Sequence, residues 1–369
     1  WHNQLSGLIV ELESLSVAGV GLLSEDGVSE EHGWSVARRL GFARRMETGF
    51  EGGGEYGVRW DAALPEIHAA YPGRNLTPQM GLVPMGADLE SGLWEFWHVQ
   101  SGTEPVRGED GKLEMEDGTG LVFVLLRGGK FWMGAQWRDA QGRNYDKDAL
   151  DRESPVHEVE VSGFFLSKYE MTQGQWERMA DRNPSRWTAE TFSGWIEGPN
   201  PVEQVSWFDC MRLLPKLSLR LPSEAQWEYA CRGGTDTVRP FAFEEFASHA
   251  NIADQSYDRA FTGSQRVESW DDGMGGHAPV GRLQPNGFGL HDVIGNVWEW
   301  CLDGYDGGFY GNSAPRDPVG PFVGSAPRVS RGGSCNSTAI NARSAYRNFS
   351  TRAFAGYDLG VRPARVSTD

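Results

Sequence analysis

The sequence predicts a loop-rich α+β protein, with a smaller N-terminal part followed by a larger one. Of its 369 residues, 48 are Gly and 19 are Pro, so turns are expected throughout. Segments with a helical period of apolar residues are few, which argues against an all-helical fold. The 15 Trp, 18 Phe and 10 Tyr supply enough aromatic surface for a substantial core, which argues against disorder.

The charge balance excludes several classes of partner. The chain has 34 Lys and Arg against 51 Asp and Glu, a net charge of −17 that repels a phosphate backbone, so we expect no nucleic acid. Its longest apolar run, Leu121–Leu126, is far shorter than the roughly 20 residues that cross a bilayer, and residues 1–13 do not resemble a signal peptide. We therefore expect a cytoplasmic monomer that does not insert into membranes.

Residues 1–117 are predicted to form an N-terminal extension of helices followed by short strands. Asn3–Ser16 has an apolar stripe at helical spacing, and a second helix is expected to begin near Ser29, which can cap it. Leu93–Trp97 alternates apolar and acidic residues as a strand does. The polar segment Thr103–Gly118 indicates a connector or a hairpin.

Residues 118–369 are dominated by strand patterns. Leu121–Leu126 reads as a buried strand, and Gly128–Gly134 is expected to follow it as a hairpin. Ser223 and Gln226 have the spacing of a capping box. Three helices begin at a Ser or Thr that can cap the first turn: Thr172–Ala180, Ser206–Leu219 and Ser223–Arg232.

Several strings in this second part carry a family resemblance. In chain order they are Gly129–Gly134, Tyr169–Trp176, Pro201–Trp207, Arg220–Gly234, Asn286–Leu290, Gly295–Trp300 and Arg331–Ser334. Over residues 118–366 they resemble the formylglycine-generating enzyme (sulfatase-modifying factor) family. The resemblance implies a C-type-lectin-like fold for residues 118–369. In these strings, we expect Trp298 and Trp300 to fill the core and Glu228 to be a satisfied structural anchor.

The segment after Ser334 departs from the enzymes of that family. The resemblance implies two cysteines there, which bind the metal and activate oxygen, but this chain has Cys335 alone in a shorter segment. One thiolate cannot supply the paired soft ligands that select Cu(I). The sulfoxide synthases of the same superfamily need three His, and the eight His here contain no HxxxH pair. We therefore expect no catalytic residue and no catalytic copper or iron, with Cys335 a small side chain on a surface loop.

The other cysteines are also expected to stay reduced. None of the four cysteines belongs to a CxxC pair, which favours isolated thiols. Cys231 and Cys210 match cysteines that form disulfides in some members of the family. The resemblance places their partners at Ile340 and Pro363, which cannot form a disulfide.

The resemblance also implies structural Ca²⁺. It places one site at the side chains of Asn251 and Asp272 and the carbonyls of Ile252 and Met274. It places a second at the side chains of Asp292 and Glu299 and the carbonyls of Gly295 and Val297. All eight are hard oxygen donors, as Ca²⁺ requires. The alternative is that the acidic side chains cap turns or accept backbone hydrogen bonds.

Residues 328–365 keep a frame of Gly, Arg and Ser found in the family, whereas the residues between frame positions are of assorted character. We call ten of these the C-terminal surface: Cys335, Ser337, Thr338, Ile340, Tyr346, Phe349, Phe354, Ala355, Tyr357 and Asp358. The layout resembles the variable proteins of diversity-generating retroelements, whose C-terminal lectin-fold segment is mutated at template adenines. In this interpretation the frame holds the backbone, and its neighbours point outward to bind a ligand, with aromatic contacts like those of antibody paratopes.

The sequence therefore predicts a non-catalytic protein that binds a protein or small-molecule ligand through a diversified C-terminal surface. Two alternatives remain open. One is an active metal-dependent oxidase of the formylglycine-generating enzyme family. The other is a partner-binding module of fixed specificity in a bacterial signalling protein. Gly81–Phe96 resembles segments that precede this domain in large bacterial signalling proteins, a likeness of fold that does not indicate function. Exposed, contiguous aromatic residues in 335–358 would favour ligand binding, whereas buried ones would belong to the core.

Overall fold

A computed structural model describes residues 13–29, 33–51, 53–188, 190–191, 198–261, 267–322 and 324–368. The predicted helix Asn3–Ser16 lies almost entirely outside these ranges and stays a prediction. Within them, no helix combines the length and the apolar character that crossing a bilayer would require.

The N-terminal part begins with a short antiparallel pair of strands and two helices: β1 (Val28–Ser29), β2 (Gly33–Trp34), α1 (Val36–Phe50) and α2 (Glu55–Ala70). The prediction that Ser29 caps the first of these helices is wrong, because Ser29 pairs with Gly33 in the strands. Ser35 caps α1 instead, accepting a hydrogen bond from the backbone N–H of Arg38 at 3.1 Å. α2 follows the glycine-rich turn and contains Pro65.

The first main sheet has five antiparallel strands in the order β15-β10-β7-β4-β3. They are β3 (Leu82–Ala87), β4 (Trp94–His98), β7 (Val122–Leu126), β10 (Phe164–Ser167) and β15 (Ala364–Val366). Between β4 and β7, the strands β5 (Val106–Arg107) and β6 (Leu113–Glu114) form the hairpin predicted for Thr103–Gly118. Because β3 and β4 belong to this sheet, the predicted boundary at residue 117 is a change of composition and not a break in the fold.

Two further sets of strands complete the fold. β8 (Gly129–Met133) pairs with β9 (His157–Val161), so the predicted hairpin over Gly128–Gly134 is wrong: the turn joins two different sheets. The second main sheet has the order β13-β12-β11-β14, and β14 runs parallel to β11. Its strands are β11 (Trp298–Gly304), β12 (Arg328–Arg331), β13 (Asn348–Ser350) and β14 (Leu359–Gly360).

The three capped helices of the larger part are confirmed. Each N-cap side chain and its partner three residues later form a complete capping box. The helices are α3 (Gln173–Ala180), α4 (Trp207–Leu213), which continues as a 3₁₀ turn (Leu214–Leu217), and α5 (Glu224–Arg232). Two short helices follow, α6 (Phe246–His249) and α7 (Gln255–Ala260). Other 3₁₀ turns lie at Val99–Ser101, Asp151–Glu153, Phe243–Glu245 and Phe309–Asn312.

The core between these elements is aromatic. Trp298 and Trp300 are both buried, as predicted from their spacing. The Trp300 Nε1–H donates to the carbonyl of Val205 at 2.9 Å, and the Trp227 Nε1–H donates to a Glu299 carboxylate oxygen at 2.7 Å. Each indole thus buries its rings while its one polar atom keeps a hydrogen bond.

Buried ion pairs fix the C-terminal segment onto this core. The pairs are Arg331 with Glu224 (2.6 Å) and Glu228 (2.7 Å), Arg343 with Asp146 (2.5 Å) and Glu153 (2.8 Å), Arg347 with Glu224 (2.7 Å), and Arg362 with Glu299 (2.7 Å). Burial alone would raise the pKa of Glu224 and of Glu228, but the facing arginines lower both. Glu228 also accepts the Gly134 N–H at 2.8 Å, which confirms its prediction as a structural anchor.

We expect the Arg347→Met substitution to lower the free energy of unfolding by about 3–5 kcal/mol, because it removes one cation from a fully buried carboxylate. Urea denaturation at pH 7 measures this. Arg316→Met is the matched control: its pair with Glu160 is at the surface, so its loss should change the free energy by less than about 1 kcal/mol. Equal losses in the two variants would contradict the structural role assigned to Arg347.

Candidate ligand-binding surface

Two glycines of the C-terminal frame have a backbone conformation that residues with a side chain rarely adopt. Gly332 and Gly333 have φ values of 100° and 85°, in the left-handed region that side chains rarely adopt. A methyl group at Gly332 would lie 3.3 Å from the Trp227 ring. The two glycines therefore let the chain turn closely against the core just before the C-terminal surface begins.

The structure sorts the ten residues of the C-terminal surface by exposure. Five are exposed: Ile340 (52%), Phe349 (40%), Phe354 (48%), Tyr357 (36%) and Ala355. Thr338, Tyr346 and Asp358 are half-buried, whereas Cys335 and Ser337 are buried. The expectation that Cys335 and Ser337 point outward is therefore corrected. They lie in a tight turn in which the Ser337 N–H donates to the Ser334 carbonyl at 2.8 Å.

Cys335 lies in surroundings that disfavour its thiolate. Its side chain is 1% exposed, so the prediction that it lies on a surface loop is wrong. Burial raises its pKa, and the carboxylates of Asp358 and Asp272 raise it further. The thiolate is the form that attacks carbon or binds a metal, and these surroundings disfavour the thiolate of Cys335. Cys210, Cys231 and Cys301 are also free and buried.

Tyr357 is the exposed end of an aromatic group that we call the Trp187 cluster, formed by Trp187, Tyr257, Phe261, His277 and Tyr357. Trp187 lies 6.0 Å from the Tyr357 ring, 5.1 Å from His277 and 4.9 Å from Phe261 between centroids, and Phe261 lies 4.8 Å from Tyr257. The Arg186 guanidinium lies 5.6 Å from the Tyr357 ring centre. Trp187, Tyr257 and Phe261 could not be predicted from the sequence, because their contacts join loops far apart in the chain.

Carboxylates lie beside the Trp187 cluster. Glu203 Oε1 accepts the Trp187 backbone N–H at 2.8 Å, while its Oε2 is buried without a hydrogen-bond partner among the described residues. Burial raises the pKa of Glu203 to about 7. Asp358 is half-buried and accepts the Ser334 hydroxyl at 3.4 Å. The site thus combines aromatic faces with acidic groups, an arrangement that suits ring-bearing or cationic ligands.

Phe349 and Tyr346 of the C-terminal surface make separate ring contacts. Phe349 stacks on Tyr305, with centroids 3.9 Å apart, and Tyr346 packs 5.9 Å from Trp298. Within the described ranges, no ring contact links Phe349 to the Trp187 cluster. Among the described residues, the ring contacts of the C-terminal surface therefore form three separate groups, whereas the sequence predicted one contiguous cluster.

The first predicted Ca²⁺ site contains the donors that a hard cation needs. Asn251 Oδ1 and Asp272 Oδ2 are both buried and have no hydrogen-bond partner in the described part of the chain. The Asn251 Nδ2 donates to the Gly276 carbonyl at 2.7 Å, which fixes the amide, and Asp272 Oδ1 accepts the Met274 N–H at 2.6 Å. Burial and the carboxylate of Asp254 raise the pKa of Asp272 to about 8. Buried oxygens without partners fit the donor set that a Ca²⁺ ion requires.

The residues of the second predicted Ca²⁺ site do not fit the ion as expected, because Glu299 is already engaged. Both carboxylate oxygens of Glu299 accept hydrogen bonds from Arg362 at 2.7–3.1 Å, and one also accepts the Trp227 Nε1–H. Asp292 Oδ2 accepts the Gly281 N–H at 2.8 Å, and its Oδ1 lacks a partner among the described residues. Because Glu299 already neutralises a buried arginine, Asp292 is the one side chain of this set with an unengaged oxygen.

Comparison with known proteins gives the family. The model of the sulfatase-modifying factor enzyme 1-like domain matches residues 112–367. The formylglycine-generating enzyme of Thermomonospora curvata is 30% identical over 301 residues, covering 65% of this chain and 93% of that protein.

Comparison with solved structures gives, among others, one match with a TM-score above 0.5 and one just below it. PvdO from Pseudomonas aeruginosa has a TM-score of 0.55 at 25% identity, over 68% of this chain and 97% of that one. Treponema denticola variable protein 1 has a TM-score of 0.49 at 25% identity, over 67% and 96%. The expected C-type-lectin-like α+β fold is confirmed. Since the family model covers more than two thirds of the sequence, this chain belongs to the sulfatase-modifying factor enzyme 1-like family.

Proposed function

We propose that this protein is a non-catalytic member of its family that binds a protein or small-molecule ligand through the C-terminal surface. One observation carries the proposal. Within residues 328–365, four arginines are buried in ion pairs (Arg331, Arg343, Arg347 and Arg362), while Ile340, Phe349, Phe354 and Tyr357 are exposed. The segment thus divides into side chains that hold the backbone and side chains that are available for contact.

The aromatic content of the exposed side chains supports binding. Among the described residues, eight Trp, Tyr and Phe side chains are exposed, and three of them lie in the nine residues Phe349–Tyr357. A fourth, Phe208, lies 5.2 Å from the Arg352 guanidinium of the same segment. Rigid aromatic rings give a large contact area for little loss of conformational entropy, and exposed groups of them mark interaction sites.

The surroundings of Cys335 support a non-catalytic role. The segment after Ser334 has one cysteine, which is buried, and burial together with nearby carboxylates raises its pKa. The 30% identity to the formylglycine-generating enzyme of Thermomonospora curvata favours the second candidate, a metal-dependent oxidase. That chemistry needs paired soft ligands, which a single buried thiol does not provide.

We also propose that the C-terminal surface is diversified by a retroelement. A genome search tests this: we expect a reverse-transcriptase gene nearby, together with a near-identical copy of the coding sequence for residues 328–365 whose differences fall at adenines. Absence of such a copy from the complete genome would overturn diversification and leave a module of fixed specificity.

If the C-terminal surface is free to vary, its exposed members should contribute little to stability. We expect Ile340→Ser and Phe354→Ser each to change the free energy of unfolding by less than about 1 kcal/mol in urea denaturation. Leu359→Ala is the matched control in the same segment: Leu359 is 2% exposed, and its truncation should cost about 2–5 kcal/mol. Losses as large as the control at either exposed position would assign that side chain to the core.

Oxygen uptake separates the two candidate functions. With Cu(I) and a cysteine-containing sulfatase peptide, we expect no oxygen consumption above the protein-free rate and no aldehyde in the peptide by mass spectrometry. The enzyme from Thermomonospora curvata serves as the positive control. Turnover that disappears in a Cys335→Ser variant would show an active oxidase and overturn the non-catalytic proposal.

We further propose a structural Ca²⁺ ion at the Asn251 and Asp272 side chains and the Ile252 and Met274 carbonyls. The buried oxygens of Asn251 and Asp272 that lack partners in the described ranges support this assignment. Bound there, the ion would give these two oxygens the partner that they lack among the described residues.

Calcium should therefore stabilise the fold. At a free Ca²⁺ concentration of 100 times the dissociation constant, the ion should raise the free energy of unfolding by about 2.7 kcal/mol. The melting temperature in calcium should then be higher than the melting temperature in a chelator. We expect Asp272→Ala to abolish this increase, whereas the exposed neighbouring variant Asp271→Ala should retain it. Equal melting temperatures in calcium and in chelator would overturn the assignment.

A further inference from the structure

A cavity of about 780 Å³ opens where β10, β15 and the first turn of α5 meet. Four arginines line it, Arg74, Arg127, Arg220 and Arg316, together with the two carboxylates of Glu160 and Asp317. The described lining therefore carries an excess of two positive charges in a chain whose net charge is −17. Cavities of this volume are large enough for a small organic ligand.

The two carboxylates are already engaged at the edge of the cavity. Glu160 pairs with Arg316 at 2.7 Å, and both side chains reach the solvent. Asp317 accepts the backbone N–H of Ser162 at 2.7 Å and its hydroxyl at 2.6 Å. Neither carboxylate forms an ion pair with Arg220, so the charge of Arg220 is not neutralised at contact distance within the described residues.

Arg220 is the strongest indication of a ligand. Its Nη2 donates to the side-chain oxygen of Gln226 at 3.0 Å, but its Nε–H is buried and meets no acceptor in the described part of the chain. Its backbone is fixed by two hydrogen bonds with Ala364, at 2.8 and 2.9 Å. A guanidinium is a planar fork of donors that suits an oxyanion, and a buried donor without an acceptor is costly unless a ligand supplies one.

The surrounding backbone leaves room for a second guanidinium. A methyl group built at Gly163 would overlap the Arg74 Nη1, so the absence of a side chain there lets Arg74 reach the cavity wall. Its Nη2 donates to the Ser367 hydroxyl at 2.6 Å. Ser223 and Gln226, at the N-terminus of α5, also line the cavity.

We propose that this cavity is a binding site for a small organic molecule that carries a tetrahedral oxyanion, a phosphate or sulfate group. The oxyanion accepts hydrogen bonds from Arg220 and is attracted by the positive charge of Arg127. The site shares no residue with the C-terminal surface or with the calcium donors, so it stands or fails independently of the proposed function.

Isothermal titration of the whole chain with sodium phosphate, sodium sulfate and sodium acetate tests the site, each against sodium chloride at matched ionic strength. We expect saturable binding of phosphate, of sulfate or of both, and weaker binding of acetate, which has fewer acceptor oxygens. Which of the two tetrahedral anions binds more tightly identifies the group on the natural ligand. Titrations that match sodium chloride for all three anions would overturn the proposal.

Two variants locate the binding. Arg220→Gln removes the half-buried guanidinium and should weaken phosphate or sulfate binding at least about tenfold, the loss of one charge-assisted contact. Arg127→Gln affects an exposed side chain, so the variant should fold as the parent does and weaken binding severalfold. The control is Arg143→Gln, which removes an equal charge from a surface pair with Asp236 and should leave binding unchanged. Parental affinity in both cavity variants would place the anion elsewhere and overturn the proposal.

Discussion

The buried arginine–carboxylate pairs are the constraint on which the C-terminal half of the structure depends. Arg331 and Arg347 share the carboxylate of Glu224, so α5, β12 and the segment before β13 meet at one buried charge. Taking these ions out of water is expensive, and the cost is met only when every partner stays in place. The backbone of the segment therefore has one arrangement that satisfies all of its charges.

This arrangement explains how a segment can be rigid while its side chains differ in character. The frame acts through arginine side chains that point inward and through glycines at positive φ, and neither feature depends on the residues between them. Ile340 and Phe354 are exposed although they lie close to frame positions. Specificity can then be changed at the surface without disturbing the ion pairs beneath it. Cys335 and Ser337 are the exceptions, because the turn after Ser334 draws both inward.

Sequence reasoning succeeded where the determining interactions are local. The capped helices follow from the capping residue and its partner three residues on. Helix α2 was missed because glycines precede it and Pro65 interrupts its pattern, while its burial comes from packing on β3. The partner of β8 was misassigned because β9 lies more than twenty residues away, and the Trp187 cluster was missed for the same reason. Contacts between distant loops leave no period in the sequence.

The two candidate sites differ in charge but depend on the same helix. Acidic groups lie beside the Trp187 cluster, and arginines line the cavity, so one ligand chemistry would not suit both. Yet α5 supplies Glu224 and Glu228 to the ion pairs that hold the C-terminal surface, and its first turn supplies Gln226, whose side-chain oxygen accepts a hydrogen bond from Arg220. A small displacement of α5 would break buried hydrogen bonds on both sides. The ion pairs that hold the C-terminal surface on α5 therefore also fix the position of Gln226 at the arginine-lined cavity.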